Sequence, residues 1–234
     1  YAEEIEKSRL FLYNSRLLPR EAQGVGTVFA LGTEGEVRVA KLIKEMMPAA
    51  DLVRFSNSGT EAVMAALRLA RGYTGKDNYV TFEGSYHGLF DAAMWTADPE
   101  SMKDQRKDPV LVYYGQGIPK LVRQLFWQVP YNDANRLEDV LKKHHDSIAA
   151  VLIEPILGNC CGIPSKPEFI KAVRALCSKY NVLMIVDEVK TGFRVAKGGI
   201  QELYNVKADV CTMAKAVANG LASETDVEKM SEAR

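Results

Sequence analysis

Two short runs constrain this chain more than anything else in it: IAAVLIEP at 148–155 and VLMIVDEV at 182–189. Each is apolar at nearly every position, so neither face of the strand it forms can meet water. Strands of that texture belong to a parallel sheet covered by helices on both sides. The interval from Pro167 to Tyr180 reads as a helix opened by proline, the crossover that parallel neighbours require. Similar strands are expected at NYVTFEG (78–84), FWQVPYN (126–132) and ADVCTMA (208–214), with a helix from Arg136 to about His145. LVRFSN (52–57) reads as a further strand, followed by a helix opening at Gly59-Thr60-Glu61. Upstream, 1–18 reads as an exposed amphipathic helix stopped by Pro19. A second helix is expected from Glu34 to about Met47, with Val37, Leu42, Ile43 and Met46 on its apolar side. The stretch 96–125 reads as a long loop with weak helical segments. Strand–helix alternation of this kind defines an open α/β layered fold, mostly parallel.

Thirty basic and thirty acidic residues cancel, and no cluster of Lys and Arg stands out, so neither nucleic acid nor an anionic membrane is an expected partner. No apolar run reaches the ~20 residues of a membrane span. Cys160, Cys161, Cys177 and Cys211 lack metal-site spacing and read as free thiols. With an N-terminal stretch unlike a secretory signal, the expected location is the cytoplasm.

In open α/β sheets, ligands collect beyond the carboxyl ends of the strands. Four groups of polar residues stand there. Ser58, Gly59 and Thr60 open a helix, whose free N–H groups suit a phosphate; the same run also reads as an ordinary cap, Ser58 with Glu61 three residues on. Asp187 and Glu188 close a very apolar strand, which is costly unless something positive meets them: a metal, a protonated ring nitrogen or an arginine. Lys215 directly follows another apolar strand, where burial could prepare an imine-forming amine, or the side chain could simply reach the surface. Tyr86 and His87 follow NYVTFEG, and an aromatic there can stack on a flat ligand or serve only as packing. Together these are a phosphate cradle, an aromatic face, a carboxylate and an amine.

The ordered series SNSGTEA, FEGSYHG, IEPILGN, VDEVKTGFRVAKGG and the lysine of MAKAVANG resembles the class III (subgroup II) aminotransferases, with the flavour of the glutamate-1-semialdehyde 2,1-aminomutases. The order and spacing agree over 34–220. The resemblance implies the large domain of pyridoxal-phosphate (PLP) fold type I, with PLP as cofactor. Ser58, Gly59 and Thr60 would bind its phosphate, Tyr86 and Val189 would lie on the two ring faces, and His87 would belong to the same cofactor pocket. Glu154 and Asn159 would line the floor near the ring, Asp187 would pair with the ring nitrogen, and Lys215 would form the Schiff base. Substrates would be an amine or amino acid with a keto acid or aldehyde, and the assembly a homodimer.

The resemblance also implies departures. The usual small C-terminal domain is expected to be missing, leaving an N-terminal helical segment (1–33), a PLP-binding domain (34–220) and a polar tail (221–234). Lys190 stands where relatives often carry a neutral residue, and Ala214 where they often carry glycine. The leading function on these grounds is amino transfer between an amino donor and a keto acid or aldehyde through a lysine Schiff base; isomerisation of a semialdehyde, and PLP binding with little or no catalysis, are the alternatives.

Overall fold

The computed structural model describes residues 34–98, 100–101 and 110–217. The expected helix 1–18, the segment 1–33 and the tail 221–234 lie outside the described residues. Five parallel strands form the main sheet: β1 (Asn78–Phe82), β4 (Phe126–Val129), β5 (Ile148–Ile153), β8 (Leu183–Asp187) and β9 (Val210–Thr212). Their spatial order is β4-β1-β5-β8-β9. The order reverses between β1 and β5, which makes the crevice beyond their carboxyl ends the topological switch point.

The strand alternation sorts the core into two layers. Val80, Phe82, Val151, Ile153, Met184 and Val186 point to one face. There they meet α3 (Ala134–His144), α4 (Pro167–Lys179) and α5 (Gly199–Tyr204) through Leu137, Leu141, Ile170, Val173, Cys177 and Ile200. Tyr79, Phe126, Ala150, Leu152 and Ile185 point to the other face, under Val63, Ala66, Leu67 and Ala70 of α2 (Gly59–Thr74). Helices therefore cover both faces, as the uninterrupted apolar strands require.

The first described helix, α1 (Glu34–Met46), packs by Val39, Ile43 and Met47, an i, i+4, i+8 stripe. Of the apolar side expected for it, Ile43 is buried but Val37 is exposed.

Other expectations need correction. Leu52–Asn57 is not a strand: Leu52 is 89% exposed and Phe55 is also exposed, because no described strand pairs with this segment. The stretch 96–125 is not all loop. A short antiparallel ribbon, β2 (Trp95–Ala97) with β3 (Leu111–Tyr113), and a 3-10 turn, Lys120–Leu125, lie within or at its edge. The small hairpin β6 (Ile156–Leu157) with β7 (Ile163–Pro164), and α5, had no counterpart in the sequence pattern because each is too short to show a period.

Candidate functional site

At the carboxyl end of the sheet, the α2-covered face changes from apolar to polar. Thr81 is the register partner of Gln128, and Asp187 that of Thr212. Each sits two residues beyond an apolar neighbour on the same face: Tyr79, Phe126, Ile185 and Val210. A staggered polar row thus runs across β4, β1, β8 and β9, with β5 in the middle and the Asp187–Thr212 pair two residues further along than Gln128–Thr81.

His87 bridges that gap. Its Nδ1 lies 2.7 Å from Asp187 Oδ2 and its Nε2 3.2 Å from Thr81 Oγ1, so one imidazole joins β1 to β8 across β5. Both His87 and Asp187 are at least 95% buried. The other Asp187 oxygen accepts from the Val189 N–H at 3.0 Å and from the Thr212 hydroxyl at 3.3 Å. Asp187 therefore has three partners, the His87 imidazole, the Val189 N–H and the Thr212 hydroxyl, and is a satisfied buried acid.

Glu188 solves the same problem differently. It points to the opposite side and accepts from the Thr191 hydroxyl and from the N–H groups of Ile200 (3.2 Å) and Gln201 (3.3 Å) at the start of α5. Burial pushes its carboxyl above the ordinary value, opposed in part by those three hydrogen bonds. Gly199, at φ 64°, leaves the space: a Cβ there would stand 2.5 Å from both carboxylate oxygens.

Ser58 caps α2, accepting from Glu61 N–H at 3.2 Å, while Glu61 reaches back to Asn57 N–H at 2.6 Å. The cap reading of this run is therefore realised. Helix geometry leaves the N–H groups of Gly59 and Thr60 directed outward from the first turn. A Cβ on Gly59 would lie 3.0 Å from both methyls of Val189 and 3.4 Å from Ala214 Cβ, so glycine lets this helix end close against the ends of β8 and β9. Thr60 turns its hydroxyl to Leu89 N–H at 3.2 Å and packs on Gly88.

Glu154 is 1% exposed and accepts from Tyr86 N–H (3.0 Å), Gly158 N–H (3.2 Å) and the Lys190 ammonium (2.8 Å). Lys190 also donates to Asn159 Oδ1 at 2.9 Å and stands 5.2 Å from the centre of the Tyr86 ring. The structure therefore gathers Tyr86, Glu154, Asn159 and Lys190 into one corner at the switch point, and Lys190 is its centre. The sequence offered only the presence of a cation in an unusual place as a signal for it.

Lys215 departs from expectation in one respect: its side chain is exposed, so the described residues do not bury the amine. It stands three residues past Thr212, where β9 has ended at the edge of the sheet. Its φ of 56° lies in the left-handed region, costly for a residue with a side chain and concentrated at functional sites.

An acid, an aromatic and a helix N-terminus thus stand together at the carboxyl end of an open α/β sheet. The chain belongs to the class III aminotransferases: the family described as "Aminotransferase class-III" matches residues 21–231. Among its relatives, the glutamate-1-semialdehyde 2,1-aminomutase of Persephonella marina is 41% identical over 202 residues, covering 86% of this chain and 46% of that protein. The enzyme of the same name from Aquifex aeolicus is 42% identical over 200 residues, covering 84% and 45%. Among solved structures, an omega-transaminase from Sphaerobacter thermophilus superposes with a TM-score of 0.77 at 32% identity, over 93% of this chain and 47% of the other. The chain thus spans about half the length of the relatives it matches. The five-strand parallel sheet and its covering helices match the large domain of the PLP aminotransferases, the fold class that the resemblance implied.

Proposed function

We propose that this chain is the cofactor-binding domain of a PLP-dependent enzyme whose reaction is the internal transfer of an amino group in a semialdehyde, as in the aminomutases it resembles. The reading rests on one observation above all. Asp187 ends β8 opposite Thr212 of β9, and Lys215 begins the turn just past that partner, so an acid and an amine stand on neighbouring strand ends.

The residues present fit the group. Gly59 lets the first turn of α2 come close to the ends of β8 and β9, and the free N–H groups of a helix N-terminus suit a phosphate. Asp187 is buried and held by His87 and Thr212, as a partner for a protonated ring nitrogen must be. When bound, PLP supplies an electron sink for the carbon next to the amine. The chain's own residues do the rest. Asp187 would favour the protonated ring nitrogen. Tyr86 and Val189 would confine the ring between them, and the Lys215 amine would act as acid and base, moving a proton between the substrate carbon and the cofactor's C4′ carbon. Lys190 holds Glu154 and Asn159 in place at the floor.

Amino transfer to a separate keto acid is the second reading, favoured by the 32% identity with an omega-transaminase. Adding glutamate 1-semialdehyde without any keto acid separates the two: isomer formation supports the first and its absence, with transfer on adding an acceptor, the second. Cofactor capture is tested by the visible absorption that PLP acquires on joining a lysine. Lys215→Ala should abolish it. A band that survives dialysis in that variant would remove Lys215 from the site.

A further inference from the structure

Behind the polar row, between β1, β4 and the 3-10 turn Asp91–Ala93, lies a small cavity with room for about one water molecule. Apolar side chains such as Trp95 and Phe126 form one side of it, while Thr81, Ser85, His87 and Gln128 form the other. Two of these polar groups are buried without a partner among the described residues, Ser85 Oγ and Gln128 Oε1. Ser85 is 5% exposed and Gln128 6%. Buried polar atoms are nearly always satisfied, and two on one small cavity point to a shared ligand.

The hydrogen-bond directions identify it. His87 Nδ1 faces a carboxylate oxygen at 2.7 Å, so this nitrogen carries the proton. In the neutral ring Nε2 is then an acceptor, and the Thr81 hydroxyl, 3.2 Å away, must donate to it. With its single proton committed, Thr81 cannot satisfy Gln128 Oε1. Gln128 needs a donor, Ser85 needs an acceptor for its own hydroxyl proton, and Thr81 retains free lone pairs. One water meets all three demands, donating to Gln128 Oε1 and to Thr81 Oγ1 and accepting from Ser85. Three bonds is the usual complement of a buried water.

We propose that this cavity is a single-water site, and that the water, by fixing the Thr81 hydroxyl, positions His87 to present Nδ1–H to Asp187. Ser85 and Gln128 are thereby positioning residues for the acid, four hydrogen bonds removed from it. The chain Ser85/Gln128–water–Thr81–His87–Asp187 runs across the sheet from β4 to β8.

The test uses the cofactor-free chain, so its outcome is independent of the reading of function above. A crystal structure fine enough to show ordered water should carry density within hydrogen-bonding reach of Ser85, Gln128 and Thr81. An empty cavity, or side chains rotated to satisfy each other, overturns the site. Long-range nitrogen–carbon NMR on histidine-labelled protein should show His87 protonated at Nδ1 alone. In the double variant Ser85→Ala, Gln128→Leu the two ring nitrogens should move toward a common shift as the tautomers mix, with the backbone spectrum of β5 and β8 retained. An unchanged His87 pattern in that variant, or Nε2 protonated in the parent, overturns the positioning role. Should the double variant not fold, Ser85→Ala alone gives the same readout, and the crystallographic result stands by itself.

Discussion

Glu188→Gln is the substitution whose outcome the structure specifies most fully. The side chain keeps its shape and loses its charge. In the parent, one carboxylate oxygen receives the Thr191 hydroxyl and Ile200 N–H, and the other receives Gln201 N–H. An amide can replace only one of those oxygens as an acceptor. Its NH2 must face at least one donor, which leaves a buried N–H without a partner, at a cost of about 1–3 kcal/mol. For a chain of this size that corresponds to a fall in Tm of roughly 2–4 °C per kcal/mol. The sign of the pH dependence follows from the direction of the titration. Burial raises the Glu188 carboxyl in the folded state, so the folded chain binds this proton more tightly than the unfolded one. That contribution to stability is complete below the unfolded value of about 4.3 and is lost as pH rises through the higher folded value. Glutamine has no such loss. The parent's advantage in Tm should therefore be larger at pH 5 than at pH 8, measured by thermal unfolding followed by circular dichroism. Titrations elsewhere are common to both proteins and cancel in the difference. An advantage that grows with pH would mean that the three donors outweigh burial, and the account of Glu188 would be wrong.

Asp187→Asn should leave PLP capture intact while slowing amino-group chemistry by about 100-fold or more, since the amide cannot favour a charged ring nitrogen; near-parent turnover in a stopped-flow assay would clear Asp187 of that role. Gly88→Ala puts a Cβ 2.6 Å from Thr60 Oγ1 and 2.9 Å from its Cα, at a φ of 109°. Strain of about 1–3 kcal/mol should appear as a lower Tm together with weaker PLP binding, because α2 begins at that contact. At pH 8, an aromatic disulfide reagent should modify exposed Cys161 quickly but spare Cys177, whose thiol burial pushes up to about 12, until denaturant is added. A homodimer is proposed by analogy with the family, and equilibrium sedimentation giving a monomer that is fully active would refute it.

The parts of the fold legible in the sequence are those in which burial acts on each residue separately. Val151, Leu152 and Ile153 need no knowledge of their neighbours to announce a strand covered on both sides, and the proline-started helix at 167 follows from its own first turn. Asp187 and Lys215 were legible as polar residues ending apolar runs. His87 was legible only as a companion of Tyr86. Its bridge from Thr81 to Asp187 depends on β5 lying between β1 and β8, a spatial order that no local pattern carries. Lys190 is a similar case. Nothing within DEVKTG says that the ammonium will meet Glu154 and Asn159, which arrive from the loop after β5, 36 and 31 residues earlier in the chain.

The misread segment 52–57 follows the same logic. Its composition is that of a strand, but a strand exists only where another backbone takes its hydrogen bonds. Val53 does pack, against the cluster of Ile43, Met47 and Ala50 that Cys211 and Met213 also join beside β9. Leu52 and Phe55, by contrast, face solvent. β-propensity measures fit to a pleated, half-buried surface rather than a preference of the backbone itself, and among the described residues that surface is present on one side only. A pairing backbone brought alongside 52–57 would convert it to a strand without changing a residue. Amide exchange reports the difference directly: the N–H groups of Val53 and Phe55 should exchange rapidly in this chain, whereas protection comparable to that of β5 would show that they already have a partner.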